Sequence, residues 1–274
     1  MPELPEVETV RRGLAPVLVG RILEHVSVRR PDLRAPFPHN FAARLTGQRV
    51  RQVERRAKYL VIGLENGFSV LIHLGMSGHM TVTDGPPQCI GAHDHVAFTT
   101  DRGQVVTFTD PRRFGFMDLT NDPAHHPALK ALGPEPLDPA FDAKALDVAL
   151  AGRSGPVKTV LLDQKVVAGL GNIYVCEALF RAGISPTRPA NTITGVRSER
   201  LIAAIKAVLT EAIEAGGSTL RDHVQATGEM GYFQFSFAVY GKEGKPCPEC
   251  ACSHGITRIV QAGRSTFYCK KRQR

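Results

Sequence analysis

No stretch of this sequence approaches the roughly 20 consecutive apolar residues that a membrane-spanning helix needs. The N-terminus also lacks the basic-then-apolar order of a secretory signal, and no internal repeat is visible. These absences leave an ordinary soluble globular protein, for which a cytoplasmic location and no membrane partner are the expectation. Acidic residues are the scarcer charge, with 26 Asp+Glu against 34 Lys+Arg, a formal net charge of +8 and an isoelectric point near 9.4. The 274 residues suffice for two or three modest domains with their own cores.

The imbalance is concentrated at one end. Ala238 to Arg274 holds eight basic residues (Lys242, Lys245, Arg258, Arg264, Lys270, Lys271, Arg272, Arg274) against Glu243 and Glu249, so +6 of the +8 lies there. A basic module on a near-neutral body points to a polyanion, most often nucleic acid; a solubilising tail is the plain alternative. Four of the six cysteines share that tail: Cys247, Cys250, Cys252 and Cys269. Without a secretory signal, such clustering favours a metal site over disulfides. A tetrahedral zinc ribbon wants two cysteine pairs on facing knuckles. Here the second pair is incomplete, because the residue three beyond Cys269 is Arg272.

The periodicity divides the chain. A first helix carries Val7, Val10 and Leu14 on one face. Short alternating strands follow at Ile22–Arg29, Val50–Glu54, Tyr59–Glu65, Phe68–Leu74, His95–Thr100, Val105–Thr109 and Phe114–Leu119. Asn66-Gly67 supplies the positive φ angles of a tight hairpin turn. This pattern predicts a β-sandwich packed with the first helix. Beyond Gly133-Pro134-Glu135-Pro136 the chain reads as helical at 140–151, 157–163, 173–182 and 198–215, the last stopped by Gly216-Gly217. The expected domains are 1–133, 134–236 with a glycine-bearing loop at 216–237, and 237–274. A loop of that length in a compact protein is usually functional or disordered.

Several short motifs carry chemistry. Pro2 follows the initiator methionine, so removal of Met1 would leave a secondary amine, with Glu3 and Glu6 in reach; an α-amino group titrates near pH ~7.7–8.0 and is a fair nucleophile. The same residues also suit a plain helix start, with Pro5 at the first helical position and acids in the first turn. Gly169-Leu170-Gly171-Asn172 enters a helix whose free amides can hold a phosphate, or forms a turn between helices. Asp110 to Phe114 combines two guanidiniums with an aromatic ring, which suits insertion into a base stack or a solvated surface turn. Glycines around Met76 make a second apolar tip. His93-Asp94-His95 would place both histidines on one face of a strand, but no third metal ligand lies nearby.

Together these motifs resemble the bacterial formamidopyrimidine-DNA glycosylase family. The resemblance is carried by Pro2 to Thr9, Arg56 to Leu60, His73 to Gly78, Asp110 to Gly115, Gly169 to Glu177 and the tail, in the family's order along the whole chain. It implies a multi-domain α+β protein: an N-terminal β-sandwich with its helix, a helix–two-turn–helix domain, and a C-terminal zinc-ribbon-like hairpin. It further implies a monomeric base-excision enzyme acting on damaged double-stranded DNA. Such an enzyme removes oxidised purines through an N-terminal proline Schiff base and then cleaves the strand by β,δ-elimination. In that scheme Pro2 is the nucleophile, Glu3 the acid–base partner, Lys58 serves β-elimination, and Arg264 serves δ-elimination and clamps phosphate. Glu6 and Arg221 contact the lesion or position the amine. Met76, Arg112 and Phe114 fill the void left by the flipped base, while His93, Lys158 and Asn172 hold phosphates. Ser154 stands where a basic DNA contact is usual, and Arg153 is its substitute. The family's four zinc ligands fall on Cys247, Cys252, Cys269 and Arg272; Cys250 is the replacement, His254 a poorer one, and a metal-free hairpin is the alternative. The sister endonuclease VIII, which prefers oxidised pyrimidines, differs at the wedge residues. A non-catalytic DNA-binding protein is the other rival, and intact Pro2, Glu3, Lys58 and Arg264 speak against it.

Overall fold

The computed structural model describes residues 2–218 and 231–274, which group into two compact units. The first joins Met1–Lys130 to Ala215–Gln234; the second joins Ala131–Glu214 to Phe235–Arg274. The three segments expected from the sequence are therefore distributed over two bodies. The 215–218 end of the glycine-bearing loop goes with the N-terminal unit, because its backbone bonds to the first helix. The cysteine-rich tail goes with the helices.

In the first unit, helix α1 (Leu4–Leu18) is followed by β1 (Leu23–Val28), the short α2 (Phe41–Leu45), β2 (Val50–Arg56), β3 (Tyr59–Leu64) and β4 (Ser69–His73). Then come β5 (His79–Asp84), β6 (Asp94–Thr100), β7 (Gln104–Thr109), β8 (Phe116–Thr120) and a short α3 (Pro127–Lys130). The strands make two antiparallel four-stranded sheets, ordered β1-β6-β7-β5 and β2-β3-β4-β8. One apolar core is shared by the inner residues of both sheets, including Val26, Leu60, Ile72, Met80, Phe98 and Phe108, and by Val7, Val10, Leu14 and Leu18 of α1. Those four recur at helical spacing, which is why one stripe of α1 is buried while the opposite face carries Arg11 and Arg12. The fold is the sandwich the alternation predicts, with one strand more, β5, directly after the glycine-flanked turn at Met76.

In the second unit, α4 (Ala143–Leu150) starts on Asp142, whose carboxylate accepts the Ala145 amide at 2.9 Å. Helices α5 (Val157–Leu161), α6 (Asn172–Ala182) and α7 (Val196–Glu214) follow, and β9 (Thr257–Gln261) pairs with β10 (Arg264–Tyr268) as an antiparallel hairpin. Helix α6 ends where Gly183 adopts φ 68°, a left-handed conformation that glycine takes without strain. A two-pronged ion pair from Arg181 to Glu211, at 2.6 and 2.7 Å, joins α6 to α7.

Phe108 is fully buried between the sheets, so Phe108→Ala is expected to cost about 3–5 kcal/mol through lost burial and an unfilled cavity. The check is a lowered denaturant midpoint for the N-terminal unit at an unchanged slope.

Candidate functional site

The N-terminal end of α1 is closed by a capping box. Glu6 Oε2 accepts the backbone amide of Glu3 at 2.9 Å. Its other oxygen accepts both the amide and the hydroxyl of Ser218, at 2.8 and 2.9 Å. Pro5 occupies the second helical position, where its missing N–H costs nothing. Gly217, at φ +81°, lets the backbone come close: a Cβ there would lie 3.2 Å from Glu6 Oε1. Pro2, Glu3 and Glu6 are all buried, so both carboxylates, and the residue whose nitrogen becomes an amine once Met1 is removed, are largely shielded from water. Arg221, expected nearby, lies outside the described residues.

Lys58 sits beside Ala57 in the two-residue turn between β2 and β3 and is 6% exposed. Ala57 adopts φ 52°, an uncommon conformation for a residue with a Cβ. The turn is braced by Arg55, which donates to the Ala57 carbonyl at 3.0 Å and to Glu8 at 3.2 Å. Burial works to raise the Glu8 carboxyl, but hydrogen bonds and charge from Arg11, with Arg12 and Arg55, hold it below the usual carboxylate range.

His73 ends β4 next to this turn. Its Nδ1 accepts the Gly75 amide at 3.0 Å, and its ring meets Tyr59 at a centroid distance of 4.8 Å. Burial lowers the imidazole to about 4, helped by the charges of Lys58 and Arg34. The hydrogen bond agrees, since a protonated Nδ1 has no lone pair for Gly75.

Beyond His73 the chain turns at Met76, which is 40% exposed, and a second tip carries Arg112 and Phe114, the latter 44% exposed. The Arg112 guanidinium lies 4.8 Å from the centre of the Phe114 ring, a cation–π contact. The two histidines of the His93-Asp94-His95 run do not share an environment. His93 is exposed before β6 begins, whereas His95 is buried with Nε2 2.9 Å from the Asp110 carbonyl. They differ in exposure, yet their rings approach edge to face at a centroid distance of 6.4 Å, as side chains on one face do.

In the second unit the expected residues converge on β10. Arg264 opens that strand after a turn in which Ala262 and Gly263 take φ 47° and 72°, and its side chain is exposed. Just behind it, the Ser265 carbonyl accepts from Asn172 Nδ2 at 3.0 Å and from Lys158 Nζ at 3.3 Å. Lys158 also donates to Thr266 Oγ1 at 2.7 Å and is 0% exposed, so its ammonium is spent on the strand rather than turned to solvent. Asn172, one residue past the N-cap Gly171, also donates to Tyr240 Oη at 3.2 Å. Arg153 and Ser154 are exposed, with an Arg153–Asp163 ion pair at 3.8 Å.

Glu177 escapes sequence reading. It is 1% exposed and accepts the amides of Ala238, Val239 and Tyr240 at 2.8, 3.0 and 2.8 Å. The only signal was an acid inside the apolar run from Ile173 to Ala182, which calls for buried donors.

In the tail, the sulfurs of Cys247, Cys250 and Cys269 all lie within 4.8 Å of one another. Cys252 Sγ is 3.6 Å from that of Cys269, and Cys250 Sγ is 3.5 Å from it. Burial tends to raise the Cys269 thiol, yet the amides of Arg272 and Lys271 and the neighbouring thiols lower it to about 7. Arg272 is turned away from the sulfurs. It donates to the Phe180 and Arg181 carbonyls at 3.2 and 3.4 Å, stacks 5.0 Å from the Phe180 ring, and pairs with Glu249 at 2.6 Å. It thus caps the C-terminus of α6.

A helix-led β-sandwich, a helical unit and a thiol-bearing hairpin define a class, and the comparisons agree with it. The family model described as the formamidopyrimidine-DNA glycosylase N-terminal domain matches residues 1–117, and that of the formamidopyrimidine-DNA glycosylase H2TH domain matches residues 132–224. The formamidopyrimidine-DNA glycosylase of Rhodospirillum centenum (strain ATCC 51521 / SW) is 60% identical, with 100% of each chain covered. The MutM (Fpg) protein of Thermus thermophilus is 43% identical, with a TM-score of 0.87 over 99% of this chain and 98% of that one. Wild-type Lactococcus lactis Fpg, solved with DNA containing N7-benzyl-Fapy-dG, is 34% identical with a TM-score of 0.90 over 100% of both chains. The chain belongs to the formamidopyrimidine-DNA glycosylase family. Among the described residues, no helix is long and apolar enough to cross a membrane.

The neutral, buried His73 has a pH consequence. A free histidine titrates near ~6.5, so as pH falls from there towards 4 the unfolded chain takes up a proton that the folded one refuses. Stability is complete above the unfolded value and falls through that window. His73→Gln, which keeps an acceptor, is expected to flatten the loss, read from thermal melts at stepped pH.

Proposed function

We propose that this protein excises oxidised purines, such as 8-oxoguanine and formamidopyrimidines, from duplex DNA and then cleaves the abasic strand. The observation that carries the reading is the burial of Pro2, Glu3 and Glu6 together at the capped start of α1, with Glu6 tied to Ser218. Family membership and the DNA complexes of structural neighbours support it.

The chemistry runs as follows. With Met1 removed, the Pro2 amine adds to C1′ of the extruded nucleotide as the glycosidic bond breaks and the base leaves with its electron pair and a proton. Glu3 delivers a proton to O4′ as the sugar ring opens, and the nitrogen shares its pair with C1′ to form the iminium. That cation acidifies the C2′ proton; its removal, assisted by Lys58, expels the 3′ phosphate. A second elimination, assisted by Arg264, expels the 5′ phosphate. Flipping the base out costs a few kcal/mol of stacking. Met76 and Phe114 offset that by filling the gap, and Arg112 pairs with the orphaned cytosine. That set favours oxidised purines over the pyrimidines of endonuclease VIII. His93, Asn172, Arg153 and Ser154 hold phosphates, and Lys158 acts on them only through β10. Arg221 remains a proposed lesion contact.

The sulfur geometry suits a zinc ion held by Cys247, Cys250 and Cys269, whose sulfurs lie within 4.8 Å of one another, with Cys252, 3.6 Å from Cys269, as the fourth ligand of a tetrahedral site. Such an ion stabilises the hairpin and takes no part in the bond changes.

The test is borohydride trapping on a duplex with 8-oxoguanine opposite cytosine. The wild type is expected to form a covalent protein–DNA adduct and Pro2→Gly to form none; equal trapping by both would sink the mechanism. For the metal, one zinc per chain is expected, with occupancy reduced in Cys250→Ala as measured by elemental analysis of the purified protein.

A further inference from the structure

The two exposed tips are fastened to each other by a side chain that touches no solvent. Asp110, immediately after β7, is 0% exposed. One carboxylate oxygen accepts the Ser77 hydroxyl at 2.6 Å, and the other accepts the Gly115 amide at 2.7 Å. The Ser77 hydroxyl oxygen in turn accepts the Arg112 amide at 3.2 Å. A continuous path therefore runs from Gly115 through Asp110 and Ser77 to Arg112. Ser77 is next to Met76 in the chain, Gly115 is next to Phe114, and Arg112 is bonded directly.

The loops also meet backbone to backbone. A Cβ on Gly75 would lie 2.4 Å from the carbonyl carbon of Phe114, and one on Gly115 would lie 2.7 Å from the Phe108 ring and 2.9 Å from Asp110 Oδ2. No side chain fits at either place. Asp110 is held from behind as well: its amide donates to the His93 carbonyl at 3.0 Å, and its own carbonyl lies 2.9 Å from His95 Nε2.

We propose that Asp110 and Ser77 are positioning residues that lock Met76, Arg112 and Phe114 into one preorganised wedge, so that filling the void opposite a flipped base requires no ordering of separate loops. The inference rests on the wedge reading given above. Its physical basis is twofold. Burying a carboxylate is costly, and the hydrogen bonds of this one go, among the described residues, to the two tip loops. Inserting apolar side chains from mobile tips would lose free energy to ordering each of them; short charge-assisted bonds remove that loss in advance.

Ser77→Ala tests it, because it deletes one hydroxyl and with it both the bond to Asp110 and the acceptor of the Arg112 amide. Single-turnover excision of 8-oxoguanine opposite cytosine in a duplex is expected to fall about tenfold, the rate equivalent of the buried hydrogen bonding lost. Discrimination between cytosine and adenine opposite the lesion should narrow at the same time. Borohydride trapping on a single-stranded abasic oligonucleotide, which has no orphaned partner base, should hold at the wild-type rate. Equal loss on both substrates, or no loss on either, overturns the proposal. Asp110→Asn, which keeps one acceptor oxygen, gives the same two-substrate comparison should Ser77→Ala fold poorly. A wild type that showed no dependence on the opposite base would instead overturn the wedge reading itself.

Discussion

The carboxylate of Glu6 accepts the Glu3 amide on one oxygen and Ser218 on the other, and the geometry of the N-terminal end follows from those bonds. A chain terminus is ordinarily the most mobile part of a domain. Here the helix cap fixes the residues next to the amine, and a segment more than two hundred residues away fixes the cap. An amine acts as a nucleophile efficiently only when held in line with its target, because positioning supplies much of the barrier reduction in such steps. Gly217 is part of the same constraint, since its positive φ and missing Cβ let the backbone approach Glu6.

The second unit uses the same device, buried charge spent on backbone. Glu177 gathers three consecutive amides, and Lys158 and Asn172 meet on one carbonyl of β10. Each charge stays buried because hydrogen bonds meet its demand. The result is an exposed Arg264 on a strand whose next two residues are fastened from below. Arg272 belongs to this logic: where a fourth cysteine would be expected, a guanidinium caps α6 and pairs with Glu249, while Cys250 joins the sulfur cluster.

Much of the fold was legible in the sequence because it depends on local period. The hairpin at Asn66-Gly67 forms between β3 and β4, but only Gly67 takes a positive φ, at 84°, so the turn is not the one with two left-handed residues that Asn-Gly predicts. The last long helix runs Val196–Glu214, within two residues of the stretch its apolar spacing marks. β5 was missed although threonines alternate with its buried Met80 and partly buried Val82, the period a strand shows. What single-sequence reading could not reach are pairings distant along the chain. Lys158 reads as a phosphate-holding cation until its ammonium is found bonded to Thr266. Asp110 and Glu177 read as ordinary acids in motifs, and only their burial against particular amides gives them a task. The cysteine spacing likewise left the grouping of Cys250 open.

The central claim is that the nitrogen of Pro2 forms the bond to the sugar. The most direct measurement is tandem mass spectrometry of the borohydride-reduced protein–DNA adduct after nuclease and trypsin digestion. The account predicts a sugar-derived mass on the peptide from Pro2 to Arg11, localised to its N-terminal residue. The same mass on Lys58, or on any internal lysine, would contradict it.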